Sequence, residues 1–196
     1  MHTILMSVLL ALVPSNMELA EDALLLAFEG IPDSLSQYGA DAVMIEILGE
    51  NSGNWFIQQT LASVLHENGI AVLEREPDSE NSAYTLKVRP MELVVEYGDV
   101  SRPWLVGSKR VERIAKCELS ITLHDLDGSM MMTLRSSGTQ IDVIAWSDAE
   151  VLDGSADWDW LSGELPENRG GGILEPIIVT GVVASLVYLF YSSRAD

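Results

Sequence analysis

The sequence predicts an α+β fold, a mostly antiparallel sheet packed against one or two helices, plus a C-terminal transmembrane helix. Three observations predict it. Between Val111 and Leu123 apolar and polar residues alternate with a period of two; between Asn54 and Asn68 apolar residues recur at helical spacing; and the 19 residues from Ile173 to Tyr191 carry one charge, Glu175.

Taken in order, residues 1–20 read as a signal peptide or an N-terminal apolar segment. Ile4 to Val13 is too short to span a bilayer but suits the apolar core of a secretory signal. It lacks the usual positive start, and the possible cleavage points, Val13-Pro14-Ser15 and Glu18-Leu19-Ala20, are imperfect. An uncleaved anchor or a plain amphipathic helix are the alternatives.

The folded domain is expected over residues 21–146, with a helix near residues 17–29 at its start. "DAVMIEILG" from Asp41 reads as a strand. The helix that follows has Ile57, Leu61, Val64 and Leu65 on one face, Ser52 or Asn54 as its cap, and Asn68-Gly69 at its end. "IAVLERE" then gives strand, helix, strand. "SAYTLKVRP" and "ELVVEYGDV" form one or two strands interrupted at Pro90, which marks an edge, a bulge or a gap because it cannot donate to a ladder.

From Val111 to Leu123 the odd positions are Val111, Arg113, Ala115, Cys117, Leu119, Ile121 and Leu123, which places one face on a core and the other in water. "HDLDGS" is a tight turn using Gly128, "MMMTLRSSG" returns antiparallel, and "TQIDVIAW" adds a further strand. Residues 147–172 show no sustained period and are expected to form an acidic stalk ending in the Gly170 to Gly172 linker.

A helix over residues 173–191 would be about 28 Å long, close to the hydrocarbon thickness of a bilayer. Pro176 suits its first turn, Tyr188, Phe190 and Tyr191 suit an interface, and Arg194 in the short tail 192–196 can reach the headgroups. The bilayer is therefore an expected partner through residues 173–191. With an exported start, the topology is a single-pass membrane protein with its domain periplasmic or otherwise extracytoplasmic. Without one, it is a tail-anchored protein with a cytoplasmic domain.

The 196 residues hold 30 acidic and 11 basic side chains, a formal net charge of -19, and no Lys or Arg before Arg75. Such a field repels phosphate backbones, so nucleic acid is excluded as a partner. A solvated acidic surface is the ordinary reading; adaptation to high salt and a basic partner are the others.

Candidate chemistry is sparse. Cys117 stands alone and falls on the apolar face of its strand, where a thiol behaves as a small hydrophobe, while His124 falls on the opposite face. His66 sits in the last turn of its helix, where an imidazole meets the helix carbonyls. Asp125 and Asp127 belong to hairpin chemistry. No metal site is expected: Asp153, Asp157 and Asp159 are the nearest set of calcium ligands, but they lack the order of a calcium loop. No cofactor is expected. Trp158 and Trp160, between carboxylates, could dock a partner or the membrane surface, or fold back onto the domain.

Over residues 41–136, the helix ending in "LHENGIAVLERE", followed by "YTLKV" and "CELSITLHDLDGSMM", resembles the small α/β domains of bacterial envelope assembly proteins. These include the curli secretion channel protein, the TolB amino-terminal domain and flagellar outer-membrane accessory proteins. The resemblance implies assembly or adaptation of envelope machines and no enzyme activity. It implies protein partners in the envelope. This chain departs from it in having an apolar tail and no Cys near its start. The expected function is a membrane-anchored, non-enzymatic accessory or scaffold subunit; the alternative is a ligand- or calcium-binding module displayed on the membrane surface.

Overall fold

A computed structural model describes residues 13–73, 83–102, 108–154 and 158–166. The apolar start before Val13, the Gly linker, and the anchor residues Pro176, Tyr188, Tyr191 and Arg194 lie outside the described residues. Among the described residues no helix is long and apolar enough to cross a membrane.

Among the described residues the elements run α1 (Asn16–Phe28), α2 (Ile31–Gln37), β1 (Ala42–Ile47), α3 (Asn54–Glu67), β2 (Ala71–Leu73), β3 (Tyr84–Ser101), β4 (Arg110–His124), β5 (Met130–Ala145) and α4 (Trp146–Gly154), followed by a 3-10 turn at Asp159–Leu161. The five strands form one sheet in the order β2-β1-β3-β4-β5. β3, β4 and β5 are antiparallel neighbours, but β1 runs parallel to both β2 and β3. The sheet is therefore mixed: the longer ladders are antiparallel as expected, and β1 adds a parallel part that the sequence reading does not include. The cause lies in the unit read correctly as strand, helix, strand: a crossover through α3 returns the chain in the direction it left.

α1 starts where its sequence says it should. Ser15, Glu18 and the backbone between them form a capping box, with the Ser15 hydroxyl accepting from the Glu18 amide at 3.1 Å and the Ser15 amide donating to Glu18 Oε2 at 2.6 Å. Leu19, Ala20, Ala23, Leu24, Ala27 and Phe28 are then buried on one side. The first helix of the described residues thus overlaps the segment 1–20 that reads as a signal or apolar lead, and Leu19 and Ala20 belong to the core.

α2 carries no strong periodic signal over its 7 residues and is not apparent in the sequence; Pro32 near its start and buried Ile31 and Leu35 hold it to the core. On α3 the expected face is correct, with Ile57, Leu61 and Leu65 buried, but the cap is Gly53, whose amide donates to Asn51 Oδ1 at 2.7 Å.

β3 runs unbroken through Pro90. Its pairing with β1 ends at Val88, and a register shift against β4 between Pro90 and Glu92 makes the bulge that the proline signals. β4 alternates as expected, odd positions inward. In the turn before β5, Asp125 Oδ1 accepts from the amides of Asp127 and Ser129, and Gly128 takes φ +77°. β5 is one strand where the sequence suggests two. The glycine that reads as a break, Gly138, is where α1 lies on the sheet: a Cβ there would stand 2.0 Å from the Ala23 carbonyl oxygen. Ser136 reinforces the contact by donating its hydroxyl to the Ala27 carbonyl.

The core lies between the helices and one face of the sheet. On the opposite face, cross-strand ion pairs join Lys87 to Glu46, Lys116 to Glu96 and Arg135 to Glu118.

Candidate functional site

Arg113 interrupts the apolar run of β4, and its side chain is 0% exposed. A guanidinium so placed requires partners for its donors. Register supplies the first, because Asp142 stands directly opposite it on β5. Arg113 Nε donates to Asp142 Oδ1 at 3.0 Å and Nη2 to Oδ2 at 2.6 Å, a bidentate fork. Arg113 Nη1 donates to Asn16 Oδ1 at 2.8 Å, and Asn16 Nδ2 donates to the Leu161 carbonyl at 2.7 Å and to Tyr97 Oη at 3.3 Å. Burial pushes the Tyr97 phenol above its ordinary range. One network therefore ties the first turn of α1 to β3, β4, β5 and the 3-10 turn. Every group in it is engaged with another, so its chemistry is that of a clamp.

Beside the clamp is an aromatic cluster. Trp160 is buried and stacks on Phe56 with ring centroids 5.4 Å apart, and Trp158 meets Trp55 at 5.8 Å. Trp55 and Trp158 remain 41% and 38% exposed. Trp160 Nε1 has no hydrogen-bond partner among the described residues. Gly163 continues the strap against β3, where a Cβ would lie 2.7 Å from the Val95 carbonyl oxygen. The two tryptophans of the expected docking pair thus part company: Trp160 folds back onto the domain, and Trp158 stays at the surface. Residues 158–166, read as stalk, pack on the fold because Trp160 and Leu161 supply the apolar area that the local period conceals.

Other candidates are separated. Cys117 is buried, and burial pushes its thiol up to about 12, far from a reactive thiolate. His124 Nδ1 lies 3.0 Å from the Gly128 carbonyl oxygen in the hairpin, and His66 occupies the last turn of α3 as expected. Asp153 accepts from the Ser162 hydroxyl at 3.2 Å, Asp159 opens the 3-10 turn, and Asp157 lies outside the described residues. Among the described residues no group of three or more His, Cys, Asp or Glu side chains could hold a metal ion.

Sequence reasoning places Arg113 on the inner face of β4 without singling it out, and it passes over Asn16 and Trp55. The signal for the first is its inward phase on β4; Asp142, between the apolar Ile141 and Val143, reads as an outward residue, and only the register of β5 against β4 turns it inward while Ile141 and Val143 stand exposed.

No family model matches the sequence. No curated protein matches it. Among solved structures, the fold is similar to a minor lipoprotein from Acinetobacter baumannii, with 16% identity, a TM-score of 0.38 and coverage of 60% of this chain and 79% of that one. It is also similar to a homolog of the neuraminyllactose-binding hemagglutinin from Helicobacter pylori (13% identity, TM-score 0.31, 53% and 65% covered) and to lipoprotein GNA1162 from Neisseria meningitidis (15%, 0.30, 75% and 98%). The likeness is to small bacterial lipoproteins at low identity.

Proposed function

We propose that this chain is a membrane-anchored, non-enzymatic accessory or scaffold subunit of a bacterial envelope assembly, its domain held on the extracytoplasmic side. One observation carries the reading. The described fold starts and ends with segments that are hydrogen-bonded to each other, Asn16 to Leu161, and the two apolar runs of the sequence, residues 4–13 and 173–191, lie just outside those two segments. A domain clamped in this way keeps its shape when it is held by its ends. The polar groups buried in it bind one another and hold geometry, which suits a structural part. The exposed pair Trp55 and Trp158 beside the clamp suits contact with a neighbouring protein or the interfacial zone of the bilayer.

Fractionation of cells expressing the full chain tests the anchor. The protein is expected to stay in the membrane pellet through an alkaline carbonate wash, and a reporter fused at each end is expected to place the domain outside the cytoplasm. Release by carbonate, or a strictly monomeric, partner-free protein after extraction in mild detergent, would overturn the proposal.

A further inference from the structure

Charge is sorted by element in this fold. Every Lys and Arg of the described residues lies between Lys87 and Arg135, on β3, β4, β5 and the segments adjoining them; α1, α2 and α3 carry none. The outer side of this helical layer holds an open groove of about 660 Å³ with Leu25, Leu26 and Val64 along it and Asp22, Glu29 and Asp33 around it, and no base lines it among the described residues. Leu25 and Leu26 are 44% and 45% exposed, on the side of α1 that faces away from the sheet.

Asp22 lies on α1 and Glu29 is the residue that caps its C-terminal end; they are seven residues apart, about 10.5 Å along the helix axis, with the leucine pair between them. An apolar strip bracketed by carboxylates at that repeat is complementary to one kind of surface: a helix with Lys or Arg at i and i+7 and apolar residues at i+3 and i+4. The acids alone would be satisfied by water and salt. The adjacent exposed leucines, unneeded for the core that the other side of α1 already fills, are what a solvated acidic surface leaves unexplained.

We infer that the groove between α1, α2 and α3 receives a basic amphipathic helix of a protein partner. Carboxylates at the rim steer the approach and set the register, and desolvation of Leu25, Leu26 and Val64 supplies the affinity. This names the chemistry of the partner in the accessory-subunit reading and rests on it, but its test is independent of anchorage. A chain released by carbonate could still bind a basic helix, and a firmly anchored one could fail to.

The probe is a fluorescein-labelled helical peptide repeating Lys-x-x-Leu-Leu-x-x with neutral filler, titrated by anisotropy against the full chain in zwitterionic nanodiscs, with empty nanodiscs as the blank. Binding is expected to weaken as salt rises and to be about tenfold weaker in Leu25→Ser/Leu26→Ser and in Asp22→Asn/Glu29→Gln/Asp33→Asn. The triple variant Glu92→Gln/Asp99→Asn/Asp127→Asn, which removes the same charge away from the groove, is expected to bind as the parent does. All of these positions are exposed, and circular dichroism of each variant verifies that it is folded. Equal losses in the two triple variants would show attraction to bulk charge and overturn the inference. So would binding that survives the leucine change, or no binding to the parent chain.

Discussion

Replacing Arg113 by Met is the sharpest test of the clamp. The substitution removes three hydrogen bonds at once, at 3.0, 2.6 and 2.8 Å, and leaves both oxygens of Asp142 and the Oδ1 of Asn16 without the donor that faced them. Breaking a buried ion pair by removing one partner costs about 3–5 kcal/mol. The Asp142 side chain is 24% exposed and can recruit water, so the lower end, about 3 kcal/mol, is expected. For a chain of this size that is a fall in melting temperature of about 6–12 °C. Differential scanning calorimetry of the full chain in detergent reads it, with near-ultraviolet circular dichroism of the tryptophans as a second probe. Asp142→Leu added to Arg113→Met removes the stranded carboxylate and is expected to recover part of the loss. A single variant that melts within about 2 °C of the parent would refute the reasoning, and so would a double variant no more stable than the single.

Four further outcomes follow from particular contacts. Gly138→Ala forces a methyl into the backbone of α1 at Ala23 and Ala27, and is expected to cost about 1–3 kcal/mol in the same melt and to raise amide exchange in α1. Trp160→Phe keeps the stack on Phe56 and loses an N–H with no partner among the described residues, so a cost under about 1.5 kcal/mol is expected; Trp160→Ala opens the core, at about 3–5 kcal/mol, and frees the segment around Leu161 to protease. Cys117, with its thiol pushed up to about 12 by burial, is expected to resist iodoacetamide at pH 8 in the folded chain and to react once it is denatured, as mass spectrometry would show. The Ser15 backbone and then its side chain hold the Glu18 carboxyl below its ordinary 4.5; its contribution is thus present above that value and lost as pH falls through the lowered one. Glu18→Gln is expected to flatten that part of the melting profile.

The parts of this fold that were legible in the sequence are those written at short range. The alternation of β4, the face of α3, the turn around Asp125 and Gly128 and the helix at the start all follow from spacing within a dozen residues. What was not legible depends on a partner distant in the chain. Gly138 looks like a strand end because the reason for a glycine there, the backbone of α1, is more than a hundred residues away in sequence. Trp160 and Leu161 sit among acids with no period, and only the proximity of Phe56 and Asn16 makes them core. Arg113 shows the same limit within a readable strand: its inward phase was plain, but the identity of its acceptors required the register of β5 and the start of α1.

The open sheet face and the helical face then present two different solutions to one excess of acid. On the sheet, bases and acids alternate across strands and meet as Lys87 with Glu46, Lys116 with Glu96 and Arg135 with Glu118. Exposed pairs of this kind add little to stability, about 0–1 kcal/mol each, but they leave a surface without a strong field of either sign. On the helices α1, α2 and α3 there is no Lys or Arg, and among the described residues the lining of the groove there has carboxylates and two exposed leucines but no base. A fold that balances charge on one face has the means to balance it on both. Among the described residues the ion pairs are on the strands, which makes the helical groove the face where a cationic partner gains most, since its charges meet carboxylates on helices that carry no Lys or Arg.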